Sequence, residues 1–325
     1  MIDVSHISKT YKVAQRKKGA LGAMGALFKR DYKEIKALDD ISFHIDPGEI
    51  VGYIGPNGAG KSTTIKVISG ILVPDSGRCT AGGFVPWKDR RAYVQHIGVV
   101  FGQRTQLWWD VPVSDSFDLL KSIYRVPKDQ YRQNYDMLVE TLGLSEFLNT
   151  PLRQLSLGQR MRAEIAASLL HGPDILFLDE PTIGLDAVSK LAVRSFIKQM
   201  NRQRKLTVIL TTHDMNDIEA LTDRIILIGK GKILHDGSMQ AIKDRFGRSR
   251  RLSVTFAERE EPVLVPGAEL VHFTAGQAVY QYDPQVLKPA DLLADLSREL
   301  DITDMVFESV SLEEVIASLY RQHDL

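Results

Sequence analysis

The chain has 325 residues, room for about two domains, with 44% apolar and 25% charged residues and 41 basic against 41 acidic side chains. Neutrality excludes a globally basic nucleic-acid binder and an acidic disordered chain. The single cysteine, Cys79, excludes a disulfide framework or a multi-cysteine metal site.

The zero is a sum of unequal parts. Residues 1–36 carry a net +6, residues 37–250 a net +3 and residues 251–325 a net −9. Residues 15–36 read as a basic insert in which Gly19, Gly22 and Gly25 alternate with Leu21, Met24, Leu27 and Phe28. Two readings are open for it, an amphipathic helix at a membrane surface or a mobile solvated loop, since three glycines weaken a helix. No apolar run approaches the roughly 18 residues that cross a bilayer, and there is no signal-peptide core, so the chain is expected not to enter a membrane by itself.

Between about residues 37 and 245, compact apolar runs alternate with helical patterns. Residues 50–54, 97–101, 175–178 and 206–211 read as strands buried on both faces of a parallel sheet. Residues 61–69, 116–124, 158–170 and 188–203 read as helices, which makes this part an α/β core. Residues 223–228 and 232–234 flank Gly229-Lys230-Gly231, a hairpin signal. After Phe246-Gly247, strands at 252–256, 278–282 and 305–308 and helices at 289–299 and 312–320 predict a small α+β unit. The expected division is 1–245 and 246–325.

Gly55-Pro56-Asn57-Gly58-Ala59-Gly60-Lys61-Ser62, followed by Thr63, fits G-x-x-x-x-G-K-[ST] between a strand and a helix. Phosphates need many donors and little bulk. The glycines let successive N–H groups face an anion, and the helix start adds partial positive charge. Lys61 is expected to reach the β- and γ-phosphates and Ser62 to ligate Mg²⁺. Residues 175–178 run into Asp179-Glu180, and neighbours on a strand point opposite ways. Asp179 then suits Mg²⁺ and Glu180 suits polarising the attacking water. Ser156 precedes Leu157-Gly158-Gln159-Arg160 and reads as the cap of a helix. That helix start is either a second anion site or an ordinary capped helix. His213 follows a buried strand, where it is either a γ-phosphate contact or a structural histidine. Gln103 could ligate Mg²⁺ or sense the γ-phosphate.

In this order the motifs resemble those of the ATP-binding subunit of an ABC transporter, over about residues 2–245. Gly55 to Ser62 resembles Walker A, Gln103 the Q-loop, Leu155 to Gln159 the signature and Glu180 the end of Walker B. Gly184-Leu185-Asp186 resembles the D-loop, His213 the switch histidine and Tyr11 the aromatic that stacks on adenine. The signature departs from its commonest form, with Leu157 in place of a glycine. Residues 101–110 and Ser311-Leu312-Glu313-Glu314-Val315 are similar to ABC-2-type exporter ATPases of the daunorubicin-resistance group.

The resemblance implies a P-loop NTPase fold with a helical subdomain plus a small C-terminal α+β accessory domain, and ATP and Mg²⁺ as cofactors. It further implies a homodimer with composite sites and a separate transmembrane permease, with no nucleic acid partner and a place on the cytoplasmic face of the cell membrane. The rival is a soluble ABC ATPase acting on ribosomes or DNA. A catalytically dead cassette is disfavoured, because Lys61, Asp179, Glu180 and His213 are all present. Trp108 and Trp109 read either as aromatic anchors near a permease groove or as core of the helical subdomain.

Overall fold

The computed structural model describes residues 1–14, 32–102, 104–246, 249–309 and 312–322. It divides into two units, Met1–Asp236 and Gly237–Leu325.

The first unit opens with a long antiparallel hairpin of β1 (Ile2–Ala14) and β2 (Tyr32–Ile45), joined on the other edge of β1 by β4 (Ser76–Ala81). Its inner face carries Ile2, Val4, Ile7, Leu38, Ile41 and Ile45, none more than 3% exposed. The hairpin reaches as far as the pairs Thr10 with Lys36 and Ala14 with Tyr32. Residues 32–36, expected within the basic insert, are therefore strand. They read as insert because Lys33, Glu34 and Lys36 lie where the strand is exposed. The remainder of that expectation, and Gln103, lie outside the described residues.

The second sheet of this unit has the order β5-β6-β7-β3-β8-β9. Its strands are β3 (Ile50–Ile54), β5 (Ile97–Phe101), β6 (Ile175–Asp179), β7 (Thr207–Thr211), β8 (Arg224–Gly229) and β9 (Lys232–Ser238). Neighbours from β5 through β8 pair in parallel. Ile175, Leu176, Phe177 and Leu178 of β6 are fully buried, each stabilising by about 1.5–3 kcal/mol. The β8–β9 turn, Lys230-Gly231, has φ of 45° and 78°, the positive pair that two-residue hairpins need.

Helix α1 (Lys61–Ile68) packs between the two sheets through Ile65, Val67 and Ile68, in one core with both. Short α2 (Arg90–Tyr93) precedes β5. Helices α3 (Val113–Tyr124), α4 (Lys128–Thr141) and α5 (Leu157–Leu169) follow between β5 and β6. Helix α6 (Ala187–Arg204) joins β6 to β7, and α7 (Met215–Leu221) joins β7 to β8. Helix α4 was not expected. It buries only Tyr131, Asn134 and Leu138, too few to mark a period in a polar sequence.

The second unit has α8 (Met239–Phe246) and the antiparallel order β11-β12-β10-β13. The strands are β10 (Arg250–Phe256), β11 (Ala268–Thr274), β12 (Gln277–Tyr282) and β13 (Ile302–Ser309), and the remaining helices are α9 (Pro289–Glu299) and α10 (Leu312–Gln322). Leu252, Val254, Tyr280, Leu292 and Leu296, all 0% exposed, close one face of the sheet under α9.

Candidate functional site

In a parallel sheet, ligands gather beyond the carboxyl ends of the strands. Here the central strands end level. Asp179 of β6 pairs with Thr211 of β7, and Thr211 pairs with Tyr53 of β3. Three chain segments leave that edge together: the loop Gly55 to Gly60, the turn after Glu180 and the loop through His213.

The first loop wraps into α1 through Gly60, whose φ is 114°. A Cβ there would stand 2.5 Å from the Ala37 carbonyl oxygen, so only glycine fits. The Lys61 Nζ donates to the carbonyl oxygens of Gly55 at 2.6 Å and Pro56 at 3.2 Å. Burial lowers the pKa of Lys61, opposed by the nearby carboxylates of Glu180 and Asp179. A cleft of about 390 Å³ opens over Asn57, Gly58, Gly60, Lys61, Ser62 and Thr63. Across it stand Asp179 and Glu180, with Ala37, Ile71 and Phe101 among its apolar lining.

Ser62 Oγ donates to Asp179 Oδ2 at 3.1 Å, and Thr211 Oγ1 donates to Asp179 Oδ1 at 2.5 Å. A hydroxyl and a carboxylate aimed at one point are hard oxygen donors of the kind that suits Mg²⁺. Glu180 takes the left-handed φ of 55°, and its N–H donates to the Thr211 carbonyl at 2.9 Å. That turn separates its carboxylate from that of Asp179. His213 Nδ1 lies 3.4 Å from Glu180 Oε1, so the two expected catalytic side chains are brought together.

The signature segment is a complete helix start. Ser156 accepts from the Gln159 N–H at 3.2 Å, and Gln159 Oε1 accepts from the Ser156 N–H at 2.9 Å, a capping box. Gly158 is buried against the start of α6, where an added Cβ would stand 2.3 Å from Ser189 Oγ. Asp186 caps α6 by accepting from the Ser189 N–H at 2.9 Å and hydroxyl at 2.8 Å, which holds its carboxyl below the usual range. Leu157 reaches the same turn. A Cβ on Gly184 would meet Leu157 Cδ2 at 2.9 Å.

None of Ser156, Leu157, Gly158 and Gln159 lines the phosphate-loop cleft. Tyr11 does not line it either; it is 37% exposed, on the hairpin opposite Ile35. Trp108 and Trp109 are 40% and 48% exposed, which corrects the core-packing alternative. The Arg160 guanidinium stacks 5.5 Å from the Trp109 ring, and Trp109 lines a groove with Leu157, Arg160 and Met161.

Sequence reasoning missed the buried carboxylate of Asp217 behind the site, bonded by Thr182, Arg194 and Thr212. It stands in the polar run Asp214-Met215-Asn216-Asp217, indistinguishable there from a solvated helix start.

The sequence profile of the family described as ABC transporter matches residues 38–183. The chain is 33% identical over 232 residues to the ABC transporter ATP-binding protein NatA of Bacillus subtilis (strain 168), covering 71% of this chain and 94% of that one. It is 34% identical over 244 residues to the linearmycin resistance ATP-binding protein LnrL of the same organism, covering 75% and 78%. Among solved structures it resembles the dimeric post-hydrolysis ATP-binding cassette MJ0796 bound to ADP and Pi. That likeness has a TM-score of 0.61 and 27% identity over 74% of this chain and 99% of the other. With that likeness and a phosphate loop at the carboxyl edge of its sheet, the chain belongs to the ATP-binding subunits of ABC transporters.

Proposed function

We propose that the chain is the ATP-hydrolysing subunit of an exporter, working as a head-to-tail homodimer on the cytoplasmic face of the cell membrane and driving a separate permease. The carrying observation is the separation of two finished half-sites. The cleft holds the phosphate loop, Asp179 and Glu180 but no signature residue, while Ser156 to Gln159 form an ordered helix start elsewhere. A second copy, related by a twofold axis, completes each site. Among the described residues no helix is long and apolar enough to cross a membrane, in keeping with a separate permease.

The residues from Gly55 to Thr63 bind the phosphates, and Lys61 neutralises them. Ser62, Asp179 and Gln103 would hold Mg²⁺, which supplies further neutralisation of phosphate charge. Glu180 takes a proton from the attacking water, and His213, 3.4 Å away, orients that carboxylate and faces the γ-phosphate. Tyr11 is assigned to adenine by resemblance. Asp186 and the signature contact the partner's nucleotide. The first unit, Met1–Asp236, is assigned as the nucleotide-binding domain and the second, Gly237–Leu325, as the accessory domain, a boundary a few residues before the 245/246 division expected from sequence. The relative LnrL, a linearmycin-resistance protein by name, supports the export direction, and exposed Trp109 with Arg160 gives the permease an aromatic anchor.

The test is Glu180→Gln. ATP binding should remain while turnover falls by about 10²–10⁴-fold, and ATP should trap a dimer visible by size exclusion. Normal hydrolysis by this variant would remove Glu180 as the base.

A further inference from the structure

We propose that Asp217 is a positioning residue for hydrolysis, one buried carboxylate that fixes both members of the Glu180–His213 pair. The inference rests on the reading above, in which that pair acts on ATP.

Asp217 is fully buried in the first turn of α7. Its Oδ2 accepts from the Thr182 hydroxyl and, at 3.4 Å, from the Thr212 hydroxyl. Its Oδ1 accepts from Arg194 Nε at 2.6 Å, with the Arg194 terminal nitrogen also in contact. Thr182 stands two residues beyond Glu180, and Thr212 immediately precedes His213. Both threonines are 2% exposed. The same Thr212 hydroxyl accepts from the Asp214 N–H at 3.0 Å, so it spends its donor on Asp217 and its lone pair on the switch loop.

The bonds close a ring. From Glu180 the chain turns through Thr182 and Leu185 into α6, whose Arg194 returns to Asp217, and Asp217 holds Thr212 beside His213. Lys190, one turn before Arg194, pairs at 2.5 Å with Asp214, the residue that follows His213. An exposed ion pair of this kind would contribute little. A buried carboxylate with several donors has no solvent to replace a lost partner, so its geometry passes to the groups it holds. The ring positions a carboxylate and an imidazole that lie at the edge of hydrogen-bond reach, and displacements of about 1 Å at such a site cost about 10²-fold in rate.

The experiment uses the full chain with Mg-ATP and measures kcat, ATP affinity and melting temperature. Thr182→Val removes one hydroxyl without changing shape and should lower kcat about 10-fold with ATP affinity unchanged, whereas Thr182→Ser should restore it. Asp217→Asn should lower kcat by about 100-fold, again without weakening ATP binding. Folded Thr182→Val with wild-type kcat, or an equal loss of ATP affinity and kcat in both variants, overturns the proposal. If Asp217→Asn does not fold, Thr182→Val and its serine rescue decide alone. Glu180→Gln separates the two levels: unimpaired Glu180→Gln removes the catalytic pair itself. Inactive Glu180→Gln beside unimpaired Thr182→Val overturns only the positioning role.

Discussion

The phosphate-loop half and the signature half of this subunit are built to opposite rules. At the phosphate loop, polar groups converge on one another: Lys61 on its own loop carbonyls, and Ser62 and Thr211 on Asp179. At the signature, polar groups are consumed in shaping backbone. Ser156 and Gln159 cap a helix, Asp186 caps the next, and Gly158 lets the two approach. The first half therefore carries charge chemistry, and the second is a template of shaped backbone that needs a ligand from outside. A chain with one of each has use for a second copy.

The largest expected effect breaks the first half. Lys61→Ala removes charged hydrogen bonds worth about 1.5–3 kcal/mol, so ATP affinity measured by calorimetry should fall about 10–100-fold. Breaking the second half should do the reverse. Ser156→Arg places a bulky cation at the template and should lower turnover at least about 10-fold with the affinity of the isolated subunit for ATP unchanged; unchanged ATPase would count against the composite site. Gly158→Ala forces the Ser189 hydroxyl off Asp186, and a loss of about 1–3 kcal/mol by denaturant titration is expected, without a change in Lys61-dependent binding.

The smallest effect concerns the shared support. His171 follows the signature helix, stacks 4.0 Å from the Tyr124 ring and donates from Nε2 to the Ile97 carbonyl of β5 at 3.0 Å. Burial pushes its pKa from 6.5 down to about 4. The folded chain then binds fewer protons than the unfolded chain between those values. Its contribution is whole above the unfolded pKa and is lost as pH falls toward the folded one. Stability should drop about 2 kcal/mol between pH 7 and pH 5 through this group, and His171→Gln should flatten that part of the profile.

The central strands were legible because they are buried on both faces and so uniformly apolar. Phosphate loop, Asp179-Glu180 and His213 were legible because their chemistry needs fixed residue types at fixed spacing. The long hairpin was only partly so: residues 32–36 are exposed and three of the five are charged, and only pairing with residues 10–14, distant in sequence, makes them strand. Asp217 was hidden for the same reason. Its burial depends on Arg194 and Thr182, 23 and 35 residues away in sequence, and local pattern carries no trace of them. Gly158 packs so closely that an added Cβ would stand 2.3 Å from Ser189 Oγ, a packing demand that only the folded chain reveals.

Glu180 sits at φ 55°, in a region that costs a residue with a Cβ roughly 1 kcal/mol or more. The glutamate is thus a frustrated choice for its own backbone. Asparagine visits that region readily, so Glu180→Asn should unfold no more easily than the wild type on heating, while its turnover falls as that of Glu180→Gln does. Activity and stability pull in opposite directions at this one position. A screen that selects this cassette for heat tolerance alone should drift toward losing its carboxylate.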